Sequence, residues 1–202
     1  MTATKKTLSA DDWAVAALDA IAEGGVEMVA VEPLARRLGV TKGSFYWHFP
    51  NREALLYSAA AKWEAQETEG MLARIGEETD ARRRIHRTFT KVDASQRASR
   101  LYFALAAAAA KDKHIAQVVE RVAQQRLEYM TECYVALGMD DEEAKRWAIT
   151  AYSVYLGILQ VRRDLPDSLP EEPESEEYQA YMAHMFATLI PEMHPAIKSQ
   201  VA

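Results

Sequence analysis

Residues 38–49 read LGVTKGSFYWHF, and this stretch decides how the N-terminal part of the chain folds. Gly39 stands where a helix commonly ends in a left-handed residue. Thr41 is a favourable N-cap for the next helix, and Pro50 ends that helix because the residue before a proline avoids the α region. The pattern predicts a helix, a glycine turn and a second, short helix at about residues 42–48, which is a helix-turn-helix.

The short helix carries more large rings than it can bury. Phe45 and Phe49 share one side of it with Val40, so both are predicted to be core residues. Gly43 has no side chain and lets the first turn come close to another molecule. The second helix of a helix-turn-helix enters the major groove, where lysine, hydroxyl and imidazole groups donate to phosphates and base edges. The side chains predicted to face DNA are Lys42, Ser44, Tyr46, Trp47 and His48.

The composition is that of a folded helical protein. Of 202 residues 49% are hydrophobic, and glycine and proline number only 8 and 7. No apolar run approaches the ~20 residues that span a bilayer, and the N-terminus lacks the apolar core of a signal peptide. A lone Cys133 excludes an intrachain disulfide and a multi-cysteine metal site. We therefore expect a cytoplasmic protein with no membrane partner, no metal and no cofactor.

The overall charge does not by itself favour nucleic acid, because the chain has 24 basic and 30 acidic residues and a formal net charge of −6. Its distribution is more informative. Residues 1–63 hold seven basic and seven acidic residues, so the acidic excess lies in the remainder of the chain. Acidic surface there repels DNA and helps to orient a DNA-binding end.

Helix signals run through the rest of the sequence, and no alternating strand pattern is present. Ser9 or Asp11 can cap a first helix that ends near Gly24, and a second helix begins near Val31. Asn51 caps a long fourth helix, which at ~1.5 Å per residue extends roughly 36 Å. The sequence thus predicts an all-α fold. Its remaining elements are predicted helices at 80–93, 96–110, 113–137, 141–163 and 175–190, with a solvated acidic loop at 164–177.

At residues 34–56, LARRLGVTKGSFYWHFPNREALL, the chain closely resembles the DNA-binding domain of TetR-family transcriptional regulators. The likeness continues in weaker form over about residues 7–65. It implies a three-helix DNA-binding domain at residues 1–51, with the helix-turn-helix at about 30–49. It also implies a C-terminal helical domain at 52–202, begun by the connecting helix 52–75, that binds an effector and dimerises.

The resemblance also implies roles for single residues. Phosphate contacts are expected from Tyr46, His48 and Arg52. Base or backbone contacts are expected from Thr41, Lys42, Gly43, Ser44 and Trp47. The chain departs from the family at Ala30, where members often have a threonine that caps the second helix and touches phosphate.

For the C-terminal part the residue assignments rest on side-chain type and spacing. An anionic or apolar effector would meet aromatic walls and a few cations, and the candidate pocket residues are His86, Phe89, Arg100, Phe103, Tyr129, Trp147 and Tyr152. Stripes on the last two long helices suggest a dimer interface. Its candidate residues are Ala148, Ala151, Tyr155, Ile158, Met182, Met185, Phe186 and Leu189.

The function implied is a homodimeric repressor that binds near-palindromic double-stranded DNA and is released by an unknown small-molecule effector. An activator or an effector-independent regulator is the alternative. An enzyme is not expected, because the sequence has no nucleophile–base, metal-ligand or phosphate-loop motif. A helical module that binds only protein is a further alternative, but it would have no use for the residues at 41–48.

Overall fold

The structure is a computed structural model that describes residues 8–75, 78–90, 96–170, 172 and 174–190. These residues form nine α-helices and no strand, which confirms the predicted all-α fold. The helices are α1 (Ala10–Gly24), α2 (Val31–Arg37), α3 (Lys42–Tyr46), α4 (Arg52–Ile75), α5 (Ala81–Thr90), α6 (Gln96–Ala109), α7 (Lys113–Ala136), α8 (Asp141–Asp164) and α9 (Glu176–Leu189).

Capping side chains fix several helix starts where the sequence predicted them. The Ser9 hydroxyl accepts a hydrogen bond from the Asp12 N–H, and the Asp12 carboxylate accepts one from the Ser9 N–H. The Asn51 side chain accepts from the Ala54 N–H at 2.8 Å and so begins α4. Each of these contacts satisfies a backbone donor that the helix leaves without a partner.

Three details differ from the sequence-based prediction. Helix α3 ends at Tyr46, because the chain turns at Trp47 and His48 before the proline. Thr41 occupies the N-cap position with an extended backbone, but its side chain makes no capping hydrogen bond. A 3₁₀ turn at Val26–Met28 precedes α2, and another at Pro166–Ser168 lies in the acidic loop. The end predicted for the fifth helix, residue 93, falls outside the described residues.

Packing divides the chain into two units. Unit 1 contains residues 1–68 and 97–122, and unit 2 contains residues 69–96 and 123–202. Helices α4 and α7 each contribute residues to both units. The domain boundary proposed after residue 51 stays a prediction.

In unit 1, one apolar core joins the helix-turn-helix to α4, α6 and the start of α7. Its largest fully buried side chains include Trp13 of α1, Phe45 of α3 and Trp63 of α4. Leu105 of α6 and Ile115 of α7 are also fully buried in it. Area removed from water stabilises this arrangement at roughly 25 cal/mol per Å² of apolar surface.

In unit 2, α5, α7, α8 and α9 form a second core. Tyr134 of α7 is fully buried there and donates its hydroxyl to the Leu189 carbonyl, at 2.8 Å, near the end of α9. Cys133 is also fully buried, and burial raises the pKa of its thiol to about 11. Cys133 is therefore a small core residue with a free thiol.

The residues that the sequence analysis placed at a dimer interface lie in this second core or pack against it. Six of the eight are buried within one chain, and the other two, Tyr155 and Phe186, are half-buried against the same core. Their stripes on α8 and α9 pack inward because a single subunit has enough helices to cover them. The six buried residues are Ala148, Ala151, Ile158, Met182, Met185 and Leu189.

Replacing Phe45 by alanine is expected to lower the free energy of unfolding by about 3–5 kcal/mol, because the ring is fully buried and its removal leaves a cavity. Trp47→Ala is the matched control: its ring is 88% exposed, so the expected change is within about 0.5 kcal/mol. Urea unfolding followed by circular dichroism measures both. Equal losses for the two variants would contradict the placement of these rings.

Candidate nucleic-acid interface

The turn between α2 and α3 is built by backbone hydrogen bonds around Gly39. Gly39 has φ +69°, in the left-handed region that other residues rarely adopt. Its N–H donates to the Arg36 carbonyl at 3.2 Å, and the Val40 N–H donates to the Ala35 carbonyl at 2.9 Å. This pair of bonds ends α2 and directs the chain into α3. The predicted helix, glycine turn and short helix are all present.

One side of α3, the side that carries Phe45, packs against the core of unit 1. The Phe45 ring meets Trp13 edge to face, with centroids 5.3 Å apart, and stacks on Phe49 at 5.7 Å. Phe45 is fully buried and Phe49 is buried, so the prediction that these two rings are core is confirmed. A five-residue helix cannot persist on its own backbone hydrogen bonds, so this apolar anchor sets its position.

The other side of α3 is open. Trp47 is 88% exposed and Tyr46 56% exposed, which are large values for aromatic side chains. Thr41, Lys42 and Gly43 are also exposed. The three remaining residues of the predicted DNA-facing set, Ser44, His48 and Arg52, are half-buried. Apart from Arg52, the predicted set therefore lies on one short and mostly exposed segment, residues 41–48.

Lys42 is engaged by a carboxylate of the same unit. Its Nζ lies 2.9 Å from Glu32 Oε1, which links the first turn of α3 to the first turn of α2. The hydrogen bond to Glu32, and then the charge of that carboxylate, raise the pKa of Lys42. The same contact lowers the pKa of Glu32. Sequence spacing does not reveal this pair, because its members lie ten positions apart.

Arg52, the first residue of α4, braces the segment before α2. Its Nε donates to the Val29 carbonyl and its Nη2 donates to the Val26 carbonyl, both at 2.6 Å. Glu27 Oε2 is 3.5 Å from the same guanidinium. Arg52 therefore fixes the 3₁₀ turn at Val26–Met28. Ala30 occupies the N-cap position of α2 and makes no side-chain cap, as the sequence indicated.

A second group of charges in unit 1 joins residues of α1, α2 and α6. Arg97 donates to Asp19 Oδ1 from Nη2, at 2.6 Å, and from Nε, at 3.1 Å. Arg37 pairs with Glu23 at 2.8 Å and lies 3.8 Å from Asp19. With Ala22 and Arg100 these residues line an open groove of about 340 Å³. The carboxylates of Asp19 and Glu23 thus neutralise two of its arginines.

The residues predicted for an effector pocket fall into different units. Arg100 and Phe103 lie in unit 1, and the other five lie in unit 2. In unit 2, Phe89 makes edge contacts with Tyr155 at 6.5 Å and with Phe186 at 6.3 Å. His86 stacks on Phe186 at 4.2 Å, and Tyr152 stacks on Tyr155 at 6.2 Å. Trp147 packs beside Tyr134 at 5.9 Å.

Two arginines that the sequence reasoning did not select lie in this aromatic region of unit 2. The Arg84 guanidinium carbon is 4.9 Å from the centre of the Tyr129 ring, and that of Arg126 is 5.2 Å from the centre of Tyr155. Arg84 is only 13% exposed and lies 3.8 Å from Glu132. The available signal was its position in α5 three residues after the buried Ala81, since residues three apart share one side of a helix.

The described residues form neither a cluster of metal ligands nor a membrane-spanning helix. Among them, no three His, Cys, Asp or Glu side chains are grouped as metal ligands. Within the same part of the chain, no helix is both long enough and apolar enough to cross a bilayer.

Comparisons with known proteins agree with the geometry of the N-terminal unit. Residues 15–59 match the family described as "Bacterial regulatory proteins, tetR family". The tetracycline repressor protein class A from transposon 1721 of Escherichia coli is 49% identical over 45 residues, which cover 22% of this chain and 21% of that protein. The matched region thus spans about a fifth of the length of that relative.

Two solved structures extend the likeness over nearly the whole chain. A transcriptional regulator from Rhodococcus sp. Rha1 has a TM-score of 0.71 at 21% identity, covering 91% of this chain and 96% of that one. The transcriptional regulator FadR from Bacillus subtilis, in complex with stearoyl-CoA, has a TM-score of 0.65 at 16% identity, covering 92% and 100%. At these identities the likeness is one of fold. Residues 15–59 therefore match the TetR family, and the fold of nearly the whole chain is similar to that of solved transcriptional regulators.

Arg52→Ala is expected to lower the free energy of unfolding by about 1–2 kcal/mol. The change removes two charge-assisted hydrogen bonds, and their contribution is reduced because the side chain is 42% exposed. Arg36→Ala, at an exposed position of α2, is the matched control and is expected to change little. Thermal unfolding measures both variants. Unchanged stability of Arg52→Ala would mean that the bracing contacts contribute nothing to the fold.

Proposed function

We propose that the chain is a DNA-binding repressor that leaves its operator when a small molecule binds. The observation that carries the proposal is the two-sided arrangement of residues 41–48, the recognition segment, in which Phe45 is buried and Trp47 is 88% exposed. A tryptophan in that position has no role in the core. Its ring, the Tyr46 hydroxyl and the His48 imidazole suit a surface of phosphates and base edges. In this proposal the chain has no catalytic function, and its cytoplasmic location stays a prediction.

Gly43 supports the same interpretation. It does not have positive φ, and an added Cβ would meet Thr41 Oγ1 at 3.7 Å, an ordinary contact. The fold of the chain therefore does not require glycine here. A requirement from outside, such as close approach of the first turn of α3 to a DNA backbone, explains the residue better.

We propose further that two copies bind one near-palindromic site, because a two-fold protein matches a two-fold operator. We place the pairing surface on outward residues of α8 and α9, because the inward stripes are covered within one chain. Ile149 is 57% exposed on α8. On α9, Ala180, Ala183 and Ala187 are exposed and lie at spacings of three and four, which places them on one face.

For the effector, we propose an anion with an apolar body that binds in unit 2. FadR from Bacillus subtilis was solved with stearoyl-CoA, which combines these properties. In this chain Arg84 and Arg126 lie over aromatic rings, and guanidinium groups bind carboxylates and phosphates well. Partial burial lowers the pKa of His86, which favours the neutral imidazole, so the arginines are the cations of this region.

Coupling between the effector and DNA would follow chain connectivity. Helix α4 begins at Arg52, directly after the helix-turn-helix, and runs to Ile75 in unit 2. A ligand that changes the packing of unit 2 can displace this helix, and two recognition helices bind tightly only at a fixed separation.

The central test is selection of bound sequences from random duplex DNA by the purified chain at a stated salt concentration. We expect a near-palindrome with half-sites about one helical turn, ~34–36 Å, or slightly more apart. Sedimentation of the complex is expected to give two chains per duplex. Failure to retain any duplex at low salt would contradict DNA binding, and enrichment of one half-site by a monomer would contradict the dimer alone.

Variants of the exposed segment are the controls for that test. Tyr46→Phe and His48→Ala are expected to weaken the selected and an unrelated duplex by similar factors, because phosphate contacts position the protein without specifying sequence. Thermal unfolding of both variants separates lost contacts from lost structure. Unchanged binding by both would mean that another surface contacts DNA.

The effector prediction is tested with a panel of aliphatic and aromatic carboxylates, with stearoyl-CoA included. A ligand that stabilises the chain in thermal unfolding is expected to lower operator affinity roughly 5–150-fold, and operator DNA is expected to weaken that ligand by the same factor. Alkylation of Cys133 should slow when the ligand binds, because this buried thiol reacts only when unit 2 opens.

The matched variants for the effector test are Arg84→Gln and Arg146→Gln. Arg84 is nearly buried in the aromatic region, whereas Arg146 is exposed on α8. Only the first change is expected to weaken the carboxylate. A ligand that slows Cys133 alkylation but leaves operator affinity unchanged would contradict the coupling. Equal effects of the two variants would contradict the assigned site.

A further inference from the structure

We infer that Glu32 is a built-in competitor of DNA for Lys42 and so lowers the affinity of the recognition segment for DNA. The inference rests on the proposed DNA-binding function and adds a residue that none of the predicted contacts includes. Glu32 would act through Lys42 and is therefore a positioning residue.

Glu32 and Lys42 are in direct contact. Glu32 Oε1 and Lys42 Nζ are 2.9 Å apart, and the two side chains are 61% and 53% exposed. The pair is therefore reachable from solvent, on the segment that is proposed to meet DNA. A carboxylate presents to an ammonium group the same kind of acceptor that a phosphate does. Lys42 cannot satisfy both partners fully, so a phosphate must displace or share Glu32.

A role at the start of α2 does not account fully for the acidic side chain of Glu32. A carboxylate in the first turn favours a helix, but this one is directed to Lys42 across ten positions of the chain. Arg36, one turn further along α2, adds only a weaker electrostatic contribution. The start of α2 also lacks a side-chain cap at Ala30, so nothing but Glu32 in that turn supplies an anion.

In the free protein the ion pair stabilises Lys42 where it lies, and that stabilisation is lost when the lysine moves to a phosphate. Removing Lys42 should therefore cost less affinity when Glu32 is present than when it is absent. The difference equals the strength of the pair. A general charge effect would instead make the two changes additive.

The experiment is a double-mutant cycle with Glu32→Gln, Lys42→Ala and the double variant, measured by operator titration with the full chain. Lys42→Ala is expected to cost about 1.5- to 5-fold more affinity in the Glu32→Gln background, the range for an exposed ion pair. Glu32→Gln alone is expected to tighten both the selected and an unrelated duplex. It should also steepen the salt dependence of log K by up to about 0.9, the value for one phosphate contact.

The matched control is Asp11→Asn, which removes the partner of Lys62 at 2.5 Å and the same unit of charge elsewhere in unit 1. It is expected to leave the cost of Lys42→Ala unchanged. An equal cost of Lys42→Ala in both Glu32 backgrounds would overturn the inference. So would weaker binding of Glu32→Gln to the selected duplex alone, since that would mean a base contact from Glu32. Failure of the unmodified chain to bind any duplex would instead show that the proposed function is wrong.

Discussion

The packing of Phe45 against Trp13 is the contact on which the recognition segment depends. Helix α3 has five residues, too few to persist in water without tertiary contacts. Trp13 and Phe45 are fully buried, with ring centroids 5.3 Å apart, so α1 supplies the surface on which α3 is held. The glycine turn sets the direction of α3, and this ring contact sets its depth. Every side chain proposed to meet DNA is positioned relative to it.

Ion pairs within unit 1 reduce the positive charge that it presents to DNA, because carboxylates of the unit pair with several of its cations. Glu32 pairs with Lys42, Glu23 with Arg37 and Asp19 with Arg97. A unit with equal numbers of acidic and basic residues in its first 63 positions therefore has little unbalanced positive charge to offer. Its affinity for DNA would come from shape and from a few directed contacts, with weak attraction to arbitrary sequence.

Signals carried by a few neighbouring residues predicted the helices well. They could not predict contacts between residues that are far apart in the sequence. Asn51 and Gly39 each mark a helix boundary through their own chemistry, so α4 and the turn after α2 were found at the right residues. The pairing of Lys42 with Glu32 and the bracing bonds of Arg52 depend on how separate elements approach. Stripes on α8 and α9 show that these helices have an apolar face, but only packing shows that one subunit covers it.

The residues of α3 and of the turn after it have two separate roles, which affects how the sequence of such a protein can change during evolution. One inward ring maintains the fold, while the outward residues at 42, 46 and 47 contribute little to the core. Substitutions at the outward positions therefore escape selection for stability, and only the partner surface constrains them. On the proposed function, binding preference can diverge between duplicated copies of the gene while the scaffold beneath stays the same.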